Sequence, residues 1–537
     1  MSLTKASYSM ITGAPANVLD YGADPTGVTD STLAFNQALN YDVVIVDNEQ
    51  DDVRRTVIVP AGNYLIEGTV YIQKGMHLKG SGVGPARIVI PISNFAGPTF
   101  LLGWGLYNGV PTQSGGGLPP SISDLCTEGG STNTLGYVVD TGAIAGVQVY
   151  NMFITTAPSG VNINCGDLQM YNCTFDNCAT SIVINTSSGS SRNVIVACDF
   201  FFSQAYGILV AGYAYDTIVS DCNFNFSKIN DIYILPASSQ LVKNLNINNC
   251  TFSYNTQWGT NTGSIVFSPT SNSDFSVQSC NFRNNPAHAI VIGGTNNTIN
   301  IFDNIFEGNK TNDQYTQGTT SKVAYIVGTG HTINMSGNSI LNQTDASVCI
   351  ETPGLQSTTL NFTNNDWDSV AAPQIFTYSG NNSGFKVNAL SNIGDSVTPL
   401  VNLSTTGTFT SRSNVGWFGP WIAGTGVQYI KIPTNGFLNA QVGISAQTNP
   451  GGSVAYIKSG FYSAVRYGDN TGAAIYDYVV ITPLYEVPTS IYAPNVAPAI
   501  ALDTPTGGTS GANVTARYIA ISVSNAYVIT SITVDCM

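Results

Sequence analysis

Two carboxylates one residue apart, Asp366 and Asp368 on either side of Trp367, are the sharpest chemical feature of the sequence. Alternation along a strand puts both on one face, with Cβ atoms about 7 Å apart. At that spacing one carboxyl can protonate a glycosidic oxygen while its partner activates water on the opposite side of the sugar. A solvated Asp-x-Asp surface is the plainer alternative. Glu307 is the second candidate acid, with Asp303 and Asp313 as possible partners. Trp258, Tyr254 and Tyr315 offer ring faces to a sugar, and Arg283, Lys310 and Lys322 offer cations to an acidic saccharide. The competing reading of Glu307 is a cross-strand ion pair with Arg283, worth little if exposed. β-Elimination needs a base instead, and His288 is the best placed, against a structural role for a lone histidine. A third cluster, Asp199, Asp216, Asp221 and Asp231 with Tyr206, Tyr213, Tyr215 and Tyr233, is equally suited to binding a sugar.

All these residues fall within a repeating region. Segments from VQVYNMF at 147 to LNFTNNDW at 360 align on one Cys or Asn, followed two residues later by an aromatic or Ile. The aligned positions are Asn151, Cys173, Cys198, Cys222, Cys250, Cys280, Asn304, Asn338 and Asn365, at intervals of 22 to 34 residues. A second apolar strand follows about ten residues later, as in SIVIN at 181 and AIVIGG at 289. A unit of this length holds several short strands and covers its apolar face only by stacking on its neighbours, which predicts a parallel β-helix. The Cys and Asn column then points inward as core, the thiols packing as small hydrophobes and the amides bonding one another. Residues one and three places later point outward, among them Arg283, Glu307, Asp366 and Asp368. Two intervals swell, Tyr254 to Gly263 and Glu307 to Lys322, and long loops on a rigid scaffold are where binding concentrates.

Upstream, Val18 to Tyr21 alternates as a strand and GADPTGV supplies a turn. Thr29 or Asp30 then caps a helix through Leu39 that plugs the open end of the coil. Asp24 and Asp30 are thereby turn and capping residues. Residues 103–121 are rich in Gly and Pro and read as a loop, and the coil pattern fades near Ser391 to Thr410. The expected organisation is a docking leader (1–16), an N-terminal cap (17–56), a β-helix (57–395), a linker (396–410) and a C-terminal antiparallel β-sandwich (411–537). The fold class is all-β.

Composition narrows the partners. Only 9% of residues are charged, with 32 acids against 18 bases and a formal net charge of −14. Such a chain offers no basic surface for nucleic acid or anionic membrane, and neither nucleic-acid binding nor membrane insertion is expected. With three histidines (His77, His288, His331), no zinc-spaced cluster and no CxxC pair, no metal or cofactor is expected. Met1 to Met10 lacks the basic and apolar regions of a secretory signal, so a soluble chain not exported by its own signal is expected.

NVLDYGADPTGVTDSTLAFNQAL at 17–39, VIVPAGNYLI at 57–66 and LKGSGVG at 78–84 together resemble the N-terminal signature of pectate-lyase-like right-handed parallel β-helix proteins. Among these the chain looks most like phage tailspikes with polysaccharide depolymerase activity. The motif covers residues 17–84, and the coil architecture extends the likeness to about residue 395. The resemblance implies a homotrimeric spike on the virion tail that binds a bacterial capsule or O-antigen and cleaves it at the cell surface. The leader would then attach it to an adaptor or another tail protein. A lyase and a non-catalytic receptor-binding spike remain the alternatives, because the fold alone does not fix the reaction.

Overall fold

The computed structural model describes residues 15–40, 55–90, 97–107, 109–113, 118–129, 136–142, 144–164, 166–187 and 192–254. It further describes 263–270, 272–285, 288–308, 322–342, 350–353 and 358–368, and from residue 376 onward strand backbone alone. They fall into two units, one running to Ala287 with residues 314–317, the other comprising His288–Asp313 and Gly318–Met537.

In the first unit the chain winds through three parallel sheets, A, B and C, and each coil gives each sheet one strand. One coil reads Gln169–Tyr171, Thr174–Asp176 and Thr180–Ile184. The next reads Val194–Val196, Asp199–Phe201 and Tyr206–Val210, and pairs with it in register on all three sheets. The strands of A and B in these coils are three residues long, so only the middle side chain is fully buried. This is a right-handed parallel β-helix.

The register lines up the buried thiols of Cys173, Cys198, Cys222, Cys250 and Cys280. Cys222, Cys250 and Cys280 each donate to a carbonyl of the preceding coil at 3.6–3.8 Å. Hydrogen bonds between successive thiols push the Cys198 and Cys222 thiols up, and burial lifts that of Cys178, at a neighbouring corner, to about 12. Such thiols are core, not nucleophiles. The first member of the column is corrected: Phe153 pairs with Thr174, so Met152 stands below Cys173 and Asn151 precedes it. Asn151 occupies a corner at φ 52°, where its amide donates to Asp124 Oδ1 (3.0 Å) and accepts from Asn172 Nδ2 (2.8 Å). Beside the thiols, Phe175, Phe200, Phe224, Phe252 and Phe282 stack face to face at centroid spacings of 4.4–5.2 Å.

Two N-terminal expectations change. Val18–Tyr21 is a 3-10 turn, because Asn17 Oδ1 accepts from Leu19 N–H and Gly22 closes it at φ 92°. Helix α1 (Thr32–Leu39) starts from Ser31, one residue later than expected, while the Asp30 carboxylate accepts from Thr32 N–H at 2.9 Å. Ala34, Phe35, Ala38 and Leu39 of α1 are buried. Asn36 accepts from Tyr71 N–H and donates to Thr69 O, so one side chain satisfies backbone groups at the terminal strand of sheet C, Val70–Ile72. Residues 103–121 also hold more than a loop, since Trp104–Tyr107 pairs antiparallel with Val110–Gln113.

Asp24 organises the turn before α1, accepting from Thr26 N–H (2.9 Å), Thr26 Oγ1–H (2.7 Å) and Thr29 N–H (2.8 Å). Those bonds, first among them the Thr26 hydroxyl, hold its carboxyl well below the ordinary carboxylate value. A depressed carboxylate stabilises the fold above its unfolded value near 3.8 and loses that contribution as pH falls toward the folded value. Asp24→Ala is expected to speed amide exchange at Thr26 and Thr29 at neutral pH. Unchanged protection would remove Asp24 from this role.

The second unit is likewise built from three parallel sheets, labelled A, B and C in the same way, with strands such as Thr332–Ser336 (A), Ser339–Leu341 (B) and Ala324–Ile326 (C). Asn304, Asn338 and Asn365 stack as expected, 0–1% exposed. Asn304 Nδ2 donates to Asn338 Oδ1 (2.9 Å), Asn338 Nδ2 to Asn365 Oδ1 (2.8 Å), and Asn338 N–H also to Asn365 Oδ1 (3.0 Å). From Gly416 the pairing turns antiparallel. One sheet holds Gly416–Trp417, Phe437–Thr448, Ala455–Gly468, Ile475–Val487 and Tyr527–Cys536; the other holds Val427–Ile432, Ala499–Asp503 and Arg517–Ser522. The expected linker 396–410 lies outside the described residues. Among the described residues no helix is long and apolar enough to cross a membrane.

Candidate active site: a carboxylate face

Ile305–Glu307, Ser339–Leu341 and Asp366–Asp368 are successive strands of sheet B in the second unit. Their middle residues, Phe306, Ile340 and Trp367, are buried, so the flanking side chains point outward. Register places Ile305, Ser339 and Asp366 in one outer column and Glu307, Leu341 and Asp368 in the other. Strand geometry then separates Asp366 from Asp368 by about 7 Å and Glu307 from Asp368 by roughly 10 Å. Ser339 Oγ donates to Asp366 Oδ1 at 2.6 Å and fixes that carboxylate.

Asp303 occupies the corner leading into the first of these strands, exposed, at φ 55°. Its carboxylate lies over Gly337: a Cβ added there would come within 2.2 Å of Asp303 Oδ1, and Gly337 itself sits at φ 69°. The glycine thus leaves room for the acid. The four carboxylates expected to do chemistry, Asp303, Glu307, Asp366 and Asp368, share one outward face and its leading corner. Pairs at 6.5–9.5 Å leave room for a water between two carboxyl groups, about the separation of Asp366 and Asp368.

The other candidates lie elsewhere. His288 is 6% exposed, its Nδ1 accepts from Lys322 N–H (3.1 Å), and its ring stacks on Tyr325 at 4.7 Å, so it is packed in sheet C rather than open to a ligand. Lys322 is buried too. Tyr254 and Arg283 belong to the first unit, and Arg283 Nε donates to Asn281 Oδ1 at 2.9 Å. Trp258, Lys310, Asp313 and Tyr315 lie outside the described residues. The third cluster disperses. Asp231 is buried in the core, and Asp216 and Asp221 hold corners, accepting from Asn244 and Asn249. Asp199 faces outward on sheet B, and Tyr206 stacks with Tyr233 at 5.1 Å. Among the described residues no group of three or more His, Cys, Asp or Glu is arranged to hold a metal. Ser339 was missed, although its place one after Asn338 already marked it as outward.

Elsewhere in the second unit, at the corner before the sheet A strand Thr332–Ser336, His331 is 1% exposed, its Nδ1 accepts from Asn297 N–H at 3.3 Å, and burial pulls its pKa down to about 4. The unfolded ring binds a proton near 6.5, which the folded ring refuses until about 4. The second unit therefore keeps this contribution above pH 6.5 and loses it as pH falls toward 4. His331→Asn, which retains an acceptor for Asn297, is expected to flatten the decline in melting temperature across that window; an unchanged slope would assign it to other groups.

Fold and face together define a right-handed parallel β-helix carrying an outward carboxylate cluster. The rhamnogalacturonase A/epimerase, pectate lyase-like family matches residues 16–255, which spans the motif that carried the resemblance. Among solved structures the chain is similar to the A-module of Azotobacter vinelandii mannuronan C-5 epimerase AlgE6, at 14% identity over 70% of this chain and 99% of that one, TM-score 0.49. It is also similar to ORF18 of Geobacillus virus E2, at 15% identity over 88% of this chain and 77% of that one, TM-score 0.38. A third is the N-terminal fragment of bacteriophage Phi29 gene product 12, at 14% identity over 72% of each chain, TM-score 0.43. No curated protein matches the chain.

Proposed function

We propose that this protein is a tailspike depolymerase that binds a bacterial capsule or O-antigen and cleaves it by glycoside hydrolysis. The observation that carries this reading is the placement of Glu307, Asp366 and Asp368 on one outward face with Asp303 at its leading corner, the alternation of one strand holding Asp366 and Asp368 about 7 Å apart. In this reading one of the pair protonates the leaving oxygen, the other activates water, and Glu307 and Asp303 extend the acidic face toward neighbouring sugars. The pectate-lyase-like match supports action on a polysaccharide. Hydrolysis is favoured over β-elimination because His288, the base that elimination would recruit, is buried against Tyr325.

The spike is a homotrimer on the virion tail, held through residues 1–16 by an adaptor or another tail protein. Light scattering reads the three-chain mass, and a single-chain mass would remove the trimer. The function is tested by incubating the protein with surface polysaccharides from candidate hosts. New reducing ends without ultraviolet-absorbing unsaturated uronate are expected. Absorbance would make it a lyase, and binding with neither product a receptor-binding spike.

A further inference from the structure

In the first unit, sheet B is followed by a corner whose residue has a left-handed backbone. Successive coils place Thr156, Asn177, Phe202, Phe226, Tyr254 and Asn284 there, at φ 52–60°. Asn takes this conformation readily, whereas a bulky aromatic does so at a cost. Three consecutive coils nevertheless carry aromatics, and their rings lie outside. Phe202 is 50% exposed, Phe226 38% and Tyr254 42%. The rings stack at 5.1 Å for both steps, with interplanar angles of 11° and 10°. The result is a narrow aromatic ledge running along the coil axis.

Its exposed area, about 250 Å² if each bare side chain presents roughly 200 Å², falls well below the roughly 800 Å² per partner of a stable protein interface. The flanks are largely polar. On the sheet B side stand Asp176, Phe201 and Asn225, with Asp199 Oδ1 accepting from Asn223 Nδ2 at 2.8 Å. On the other side Gln204 donates to Asn177 Oδ1 (2.5 Å) and to Phe202 O (3.1 Å), while Lys228 Nζ donates to Gln204 Oε1. A narrow apolar strip, bordered by Phe201, by amides and carboxylates and by the Lys228 ammonium, fits a ligand that is flat, apolar on its faces and hydroxyl-rich at its edges. The charge of the chain, −14, disfavours a polyanion.

We infer that Phe202, Phe226 and Tyr254 form a binding site for an uncharged saccharide chain, which lies along the ledge with the apolar faces of its sugar rings against the outer edges of the stacked aromatics. The site lies in a different unit from the carboxylate face and does not depend on the catalytic reading. The test replaces all three aromatics by the residue that Asn177 and Asn284 already place at this corner, giving Phe202→Asn/Phe226→Asn/Tyr254→Asn in the full chain. Affinity electrophoresis in dextran, laminarin, polygalacturonate and hyaluronan, with chitohexaose as competitor, reads binding at low and physiological salt.

The wild type is expected to be retarded by a neutral polymer independently of salt, and the triple variant to bind at least about tenfold more weakly. Its melting temperature should be no lower, because the backbone strain is relieved. A triple variant that binds equally well, or a wild type retarded only by the acidic polymers or by none, would overturn the inference.

Discussion

Changing Asp366 and Asp368 together to Asn is expected to slow polysaccharide cleavage by about 10³-fold while leaving the melting temperature unchanged. Both side chains project from sheet B, so neither supports the core, whose local anchor is the buried Trp367 between them. Asn is nearly isosteric with Asp, and its carbonyl can still accept from Ser339 Oγ–H, which now donates at 2.6 Å. What is lost is the ability to give a proton to a leaving oxygen and to take one from water. Release of reducing ends under saturating substrate is the readout. Glu307→Gln serves as the companion, since Glu307 shares the column of Asp368 across one intervening strand. An undiminished rate in the double variant would take these two acids out of the mechanism, and loss of activity in Glu307→Gln alone would hand the acid role to Glu307.

Phe224→Ala is expected to destabilise the first unit by about 3–5 kcal/mol. The ring is fully buried and stacked on both faces, against Phe200 at 4.4 Å and Phe252 at 5.0 Å. The coils on either side cannot close over the gap. Their separation is set by the backbone pairing of Asp199–Phe201, Asn223–Asn225 and Thr251–Ser253, so the cavity persists. Phe224→Leu, which refills most of the volume, should recover much of the loss. Thermal and denaturant unfolding measure both. A cost within about 1 kcal/mol for the alanine variant would mean that the column contributes register without packing energy.

Much of this architecture is written in the spacing of a few residues. The Cys column and the Asn column each announce a coil because a buried thiol or amide must recur at the same point of every turn, and both stack as their alignment requires. The outward set followed from alternation, and it brought Glu307, Asp366 and Asp368 to one face. The one-residue slip at Asn151 arose because Met152 fills the thiol position with a different apolar side chain, leaving the preceding corner Asn to be mistaken for it. Phe202 and Phe226 escaped notice because three-residue strands end earlier than alternation can reveal. The residue four after each Cys then belongs to a corner, where neighbouring coils carry Asn177 and Asn284. An aromatic standing where sibling repeats place Asn was the available signal. His288 had the right chemistry for a base, yet its burial depends on strands distant in sequence.

The amide of Asn36 in α1 has a consequence for how such a chain avoids its own polymerisation. By occupying Thr69 O and Tyr71 N–H it blunts a strand edge that would otherwise template another copy. A coil whose repeats already match one another in register and spacing resembles one layer of a cross-β fibril, so an unguarded terminus would recruit further chains end to end. The short helix thus acts as a chain terminator, and it keeps a stack that could grow indefinitely at a defined length.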